Sequence, residues 1–123
     1  MYLKTFPIAG HHNADSGAVY NGRKEADLTK EARNLFVKYF PNGKNELILD
    51  NDNETNLQLQ RRIKPGAGSV LLDTHFNAGP TTATGTECLV NRKDFVNKNS
   101  MSYRMADEIS KATSEILGIP NRG

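Results

Sequence analysis

Ser69-Val70-Leu71-Leu72-Asp73-Thr74-His75-Phe76 is the stretch on which the fold turns. Val70, Leu71 and Leu72 run together without the polar alternation of a half-solvated strand, so the run predicts a strand covered on both faces, central in a parallel sheet. It closes on a histidine. Upstream, Asn53 to Ile63 reads as a modest helix carrying Leu59 and Ile63 and ended by Pro65-Gly66, and Glu46 to Leu49 as a short strand. Further back, Leu28, Ala32, Leu35 and Tyr39 recur at helical spacing from Glu25 to Phe40, and Pro41-Asn42-Gly43 supplies the stop. Tyr2 to Ala9 is apolar enough for a first strand. His11 to Lys24, with Gly17, Gly22, Asn13, Asp15 and Asn21, has the composition of a long loop.

Downstream of the deciding strand, Thr84 to Val90 reads as another strand. Met105, Ile109, Ala112 and Ile116 give the inner face of a last helix stopped by Gly118 and Pro120. Strands alternating with helices imply an α/β fold: a single domain with a mostly parallel twisted sheet flanked by helices on both faces. The length of 123 residues suits one domain that buries roughly two-thirds of its unfolded surface.

Composition narrows the function classes. Apolar residues at 37% and charged residues at 24% are ordinary for a globular chain. Sixteen basic against fourteen acidic residues leave a net charge of +2, and no Lys/Arg run marks a nucleic-acid or polybasic membrane surface. No apolar run approaches the ~20 residues of a membrane span, and Met1 to Gly10 lacks the pattern of a secretion signal. A single cysteine, Cys88, excludes an internal disulfide and a multi-cysteine metal knuckle, so any metal must rest on His and carboxylates.

The chain has only three histidines: His11 and His12 after the first strand, and His75 at the end of the central one. Ligands of open α/β sheets collect beyond the carboxyl ends of the strands. Neighbouring strands lie ~4.8 Å apart, so groups at their ends can share one ion. Glu25, opening the first helix, would supply a third ligand. No short local motif links the three, and as spacing alone the same residues read equally as solvated loop side chains.

Gly10-His11-His12-Asn13-Ala14-Asp15-Ser16-Gly17-Ala18 resembles the Gly-His-Gly-Gly-x-Asp-x-Gly-Ala opening of zinc-dependent N-acetylmuramoyl-L-alanine amidases, the cell-wall amidases of bacteria and their phages. Asn21 to Leu28 resembles the family's second block, whose glutamate opens the first helix. Leu59-Gln60-Arg61-Arg62 is similar to its Leu-x-x-Arg helix, and Asp73-Thr74-His75-Phe76-Asn77-Ala78 to its Ser-x-His-x-Asn-Ala block. Gly85-Thr86-Glu87 and Asn121-Arg122-Gly123 match the later Gly-x-Glu and Asn-Arg-Gly. Six blocks in order cover nearly the whole chain.

The resemblance implies one zinc ion on His11, Glu25 and His75, with an open position for water. Peptidoglycan is the implied partner, and the implied reaction is hydrolysis of the bond between N-acetylmuramic acid and L-alanine at the bacterial wall. Asn77 and Arg62 are the substrate-binding candidates. His12 stands where the family has a small residue and reads as a solvated side chain or a fourth ligand. Asp73 and Asn77 flank His75, placed to orient it or to touch substrate, and Asp73 equally to satisfy backbone groups at a strand end. The family's second, catalytic glutamate lies on a late strand that the sequence stops short of. The expectation is therefore a catalytic domain spanning 1–123 that lacks its final strands and helix: a fragment, a chain completed by a further polypeptide segment, or a catalytically weakened protein. Glu87 is the nearest substitute for that glutamate. A zinc-containing wall-binding module without catalysis is the competing reading, and a metallopeptidase cutting within the stem peptide is the third.

Overall fold

The computed structural model describes residues 4–41 and 47–123. They fall into two compact units, Met1–Ala78 and Gly79–Gly123, each described by itself. The first holds β1 (Thr5–Ala9), β2 (Val19–Tyr20), β3 (Arg23–Lys24), α1 (Glu25–Tyr39), α2 (Asn56–Arg62) and β4 (Val70–Thr74). The second holds α3 (Arg92–Val96) and α4 (Met101–Leu117). The class is α/β, and the main pairing is parallel: β1 runs beside β4 in register from Thr5 opposite Val70 to Ala9 opposite Thr74.

β1 takes the central place expected of the Ser69 to Phe76 stretch. All five of its residues are buried, and Thr5 also bridges to Leu47 on the other side. β4 instead alternates between half-buried and exposed residues, with Leu71 47% exposed, and among the described residues its second edge carries no strand. Tyr2 and Leu3 of the expected first strand lie outside the described residues, as do Glu46 of the next one and Asn42-Gly43 of the helix stop.

The segment 47–50 forms one bridge rather than a strand, and Pro7 explains why. The Ile48 amide donates to the Thr5 carbonyl at 2.9 Å. The next rung of a parallel ladder would need an N–H from residue 7, which proline lacks. Beyond that point the Ala9 amide is satisfied by the Asp50 carboxylate at 3.3 Å.

Phe6 and Ile8, two apart on β1, pack with Leu59 of α2 and Ile63 at its C-cap, and Ile48 adds to the cluster. α2 starts at a capping box in which Thr55 and Gln58 satisfy each other's backbone amides. α1 packs against β1 and β4 with an unexpected face. Its buried residues are Glu25, Ala26, Thr29 and Arg33, whereas Leu35 and Tyr39 of the expected inner stripe are exposed. The inner face is polar because each group finds a partner. Thr29 Oγ1 donates to the Gly10 carbonyl at 2.6 Å, and Arg33 Nη1 lies 2.8 Å from Asp50 and 2.7 Å from Asp52. Within the expected loop, β2 and β3 close a hairpin over Asn21-Gly22, both at positive φ (48° and 75°), as a tight two-residue turn requires.

In the second unit the expected strand Thr84 to Val90 is reduced to a parallel bridge between Thr86 and Asn121. It is extended by the Arg122 amide to the Thr86 carbonyl and the Cys88 amide to the Gly123 carbonyl. α4 begins at the Ser100 cap and ends at Gly118 in the left-handed region, where the sequence puts its stop. Its buried residue is Ser110, whose hydroxyl is 2.6 Å from Asn121 Oδ1, while Ile116 of the expected inner face is exposed. α3, capped by Asn91, has no apolar period long enough to be foreseen.

Phe6 is the largest buried apolar side chain among the described residues of the first unit. Replacing it with alanine should cost about 3–5 kcal/mol, read as a lowered urea midpoint at unchanged slope.

Candidate metal centre

The register of β1 with β4 brings the two strand ends side by side, and the Gly10 amide donates to the Thr74 carbonyl at 2.9 Å. The residues that follow Gly10 and Thr74 are His11 and His75. His11 adopts φ 69°, a left-handed conformation uncommon for a residue with a side chain. Its imidazole lies edge-on to that of His75, ring centres 5.0 Å apart.

Glu25 enters from α1. The first amides of that helix have no side-chain cap and donate instead to the loop, from Glu25 to the Ala18 carbonyl and from Ala26 to the Ser16 carbonyl. The loop and the helix start are thereby stitched together. The carboxylate of Glu25, a buried residue, accepts from the Ala18 amide at 3.0 Å and the Phe76 amide at 2.8 Å. One oxygen lies 3.1 Å from His11 Nε2 and the other 3.1 Å from His75 Nδ1.

Burial is the largest single influence on Glu25 and opposes its ionisation. The two amides, the His11 charge and the His75 contact together outweigh it and hold the carboxyl below its ordinary value. His11 is pushed up from 6.5, chiefly by the hydrogen bond from its Nδ1 to Asp15 Oδ2 at 2.9 Å. Partial burial pushes Asp73 up, against the pull of His75.

One donor atom from each of His11, Glu25 and His75 lies within 4.8 Å of the others. Two imidazoles and one carboxylate leave a coordination position open, the donor set of catalytic zinc sites. The donors therefore fit such an ion. Two glycines make room for them. A Cβ on Gly10 would sit 2.5 Å from His75 Cε1 and from the Thr74 carbonyl oxygen, and one on Gly17, at φ 60°, 2.6 Å from the His11 ring. Asp15 and these glycines are the site residues that spacing alone overlooks; the opening Gly-His and the Asp-x-Gly of the first block are their signals.

The other candidates lie elsewhere. His12 stands outside the trio, its Nδ1 accepting from the Ala14 amide at 3.3 Å. Asn77 follows His75 by two residues. Arg62 pairs through Nε with Glu54 at 2.9 Å and donates from Nη2 to the Leu49 carbonyl at 2.9 Å, which ties α2 to the segment after the Leu47 bridge. Glu87 belongs to the second unit and lies 3.0 Å from Arg122 Nη2. Burial pushes the Cys88 thiol up, which disfavours the reactive thiolate.

Residues 8–123 match the family model described as N-acetylmuramoyl-L-alanine amidase. The chain belongs to that family. An uncharacterised Bacillus subtilis (strain 168) protein, YqiI, is 29% identical over 119 residues, covering 94% of this chain and 56% of the relative. The chain thus spans little more than half the length of that curated relative. No solved structure gives a significant match. In this amidase-family chain the matched region contains both strand ends and the helix start that carry the trio.

Gly10→Ala keeps a permitted backbone but must displace His75 or the Thr74 peptide. Divalent-metal affinity, measured by competition with a chromophoric chelator, should fall by about tenfold or more.

Proposed function

We propose that this chain holds one zinc ion on His11, Glu25 and His75 and hydrolyses the amide joining N-acetylmuramic acid to L-alanine in peptidoglycan, acting at the bacterial cell wall. The observation that carries the reading is the convergence of these three donors, within 4.8 Å, at the carboxyl ends of two parallel strands in a chain of the amidase family. Zinc at such a site supplies a Lewis acid for the scissile carbonyl and lowers the pKa of a water to about 7.

The chain's own residues prepare that chemistry. Glu25 is kept as a carboxylate by the Ala18 and Phe76 amides, so it meets a cation without first losing a proton. With two neutral imidazoles it leaves net positive charge on the site to stabilise a developing oxyanion. Side-chain exposure of 40% at His75, against 7% at Glu25, leaves the His75 side open for an approaching polymer. Asn77, two residues after His75 in sequence, is proposed to contact substrate. No helix among the described residues is long and apolar enough to cross a membrane.

Purified sacculi treated with the protein should release stem peptides bearing a free L-alanine amino terminus, identified by mass spectrometry. Exhaustive chelation should abolish the release and added zinc restore it. Undiminished release after chelation contradicts the metal mechanism. Sedimentation with walls and no release at all supports the binding-module reading, and cleavage inside the peptide the metallopeptidase one.

Acid should oppose loading. His11 must shed its proton to ligate, and Asp15 raises its pKa above 6.5 in the metal-free protein. Apparent zinc affinity should therefore decline as pH is lowered from somewhat above 6.5, which titration calorimetry at several pH values reads directly.

A further inference from the structure

The two imidazoles of the trio turn different nitrogens toward Glu25. His11 offers Nε2, at 3.1 Å from one carboxylate oxygen, and His75 offers Nδ1, at 3.1 Å from the other. The outward nitrogen of each ring is met by an aspartate: Asp15 Oδ2 lies 2.9 Å from His11 Nδ1, and Asp73 Oδ2 lies 3.4 Å from His75 Nε2. The two ring nitrogens of an imidazole point away from each other, so a carboxylate on one stands behind the ring as seen from the other. Asp73 is therefore placed to act through His75 and not on a ligand held by the trio.

We propose that Asp73 is a positioning residue: it keeps the His75 proton on Nε2 and so commits Nδ1 to the metal. The inference rests on the zinc reading of the trio. A metal-ligating histidine needs its other N–H tied to an acceptor, which fixes both tautomer and ring orientation. Asp73 is suited to the task because its backbone is locked in the ladder, opposite Ile8 of β1, and it precedes His75, the first residue past β4, by two positions. Its carboxylate, 45% exposed, borders a cleft lined by Ile8, Leu59, Ile63 and Leu71 together with the amide side chains of Asn56 and Gln60, and it is the carboxylate that meets His75 Nε2. Asp15 is a poorer subject for the same test. Its second oxygen accepts from the Gly17 amide at 3.1 Å, so its removal also disturbs the loop.

Two measurements on the whole chain decide the matter. Long-range proton–nitrogen NMR of the histidine rings, with and without zinc, reports which His75 nitrogen carries the proton and which binds. Chelator competition gives zinc affinity for the wild type, Asp73→Ala and Asp73→Asn. The wild type should show His75 protonated at Nε2 and bound through Nδ1. Asp73→Ala should lose about 10- to 100-fold in zinc affinity and show mixed tautomers, and Asp73→Asn, whose amide oxygen still accepts, should recover much of the loss. Binding through Nε2 in the wild type overturns the proposal even if the alanine variant does not fold. Unchanged affinity and tautomer in a folded Asp73→Ala overturns the positioning role alone, leaving the zinc reading intact. A wild-type chain that takes up no zinc overturns both.

Discussion

The carboxylate of Glu25 is the point on which the first unit converges. It is nearly buried, and its oxygens meet an amide from the loop at Ala18, an amide past β4 at Phe76, and the rings of His11 and His75. A buried carboxylate is costly unless it is fully partnered, and here the first loop, through His11 and Ala18, and the stretch past β4, through His75 and Phe76, supply the partners. The same contacts that make its burial tolerable hold the first loop, the start of α1 and the end of β4 in one arrangement. Stability and ligand placement therefore share one group.

That constraint propagates along α1. A helix that delivers a carboxylate to the strand ends turns the rest of the same face inward, and positions four apart follow it: Thr29 reaches the Gly10 carbonyl and Arg33 reaches Asp50 and Asp52. The helix docks through polar contacts where an ordinary amphipathic helix would dock through leucines. The apolar work falls to the small cluster of Phe6, Ile8, Leu59 and Ile63. Asp50 also satisfies the Ala9 amide, so the Arg33 network compensates for the ladder that Pro7 interrupts.

The class of fold and the identities of the candidate donors were legible in the sequence, because the aliphatic runs, the two strand-end histidines and the ordered family blocks are local signals. The Asn21-Gly22 hairpin has a local signal in its turn residues, set within a composition that reads as loop. The inner face of α1 was not legible. Leu28, Ala32, Leu35 and Tyr39 carry the helical period, and the charges that displace them are partnered by Asp50 and Asp52, nearly twenty residues away. Strand centrality was hidden for a related reason. The apolar run at Val70 to Leu72 advertises burial on both faces, but which strand is flanked depends on pairings that no local pattern encodes. Ser110 is a further instance, buried against Asn121 while Ile116 on the same helix is exposed.

The central claim is that two imidazoles and one carboxylate of this chain surround a single zinc ion. X-ray absorption at the zinc edge of the loaded protein tests it without reference to activity. The account predicts a first shell of nitrogen and oxygen at about 2.0–2.1 Å, outer-shell scattering from two imidazole rings, and no sulfur. A sulfur shell at about 2.3 Å, or an all-oxygen shell without imidazole scattering, would contradict it.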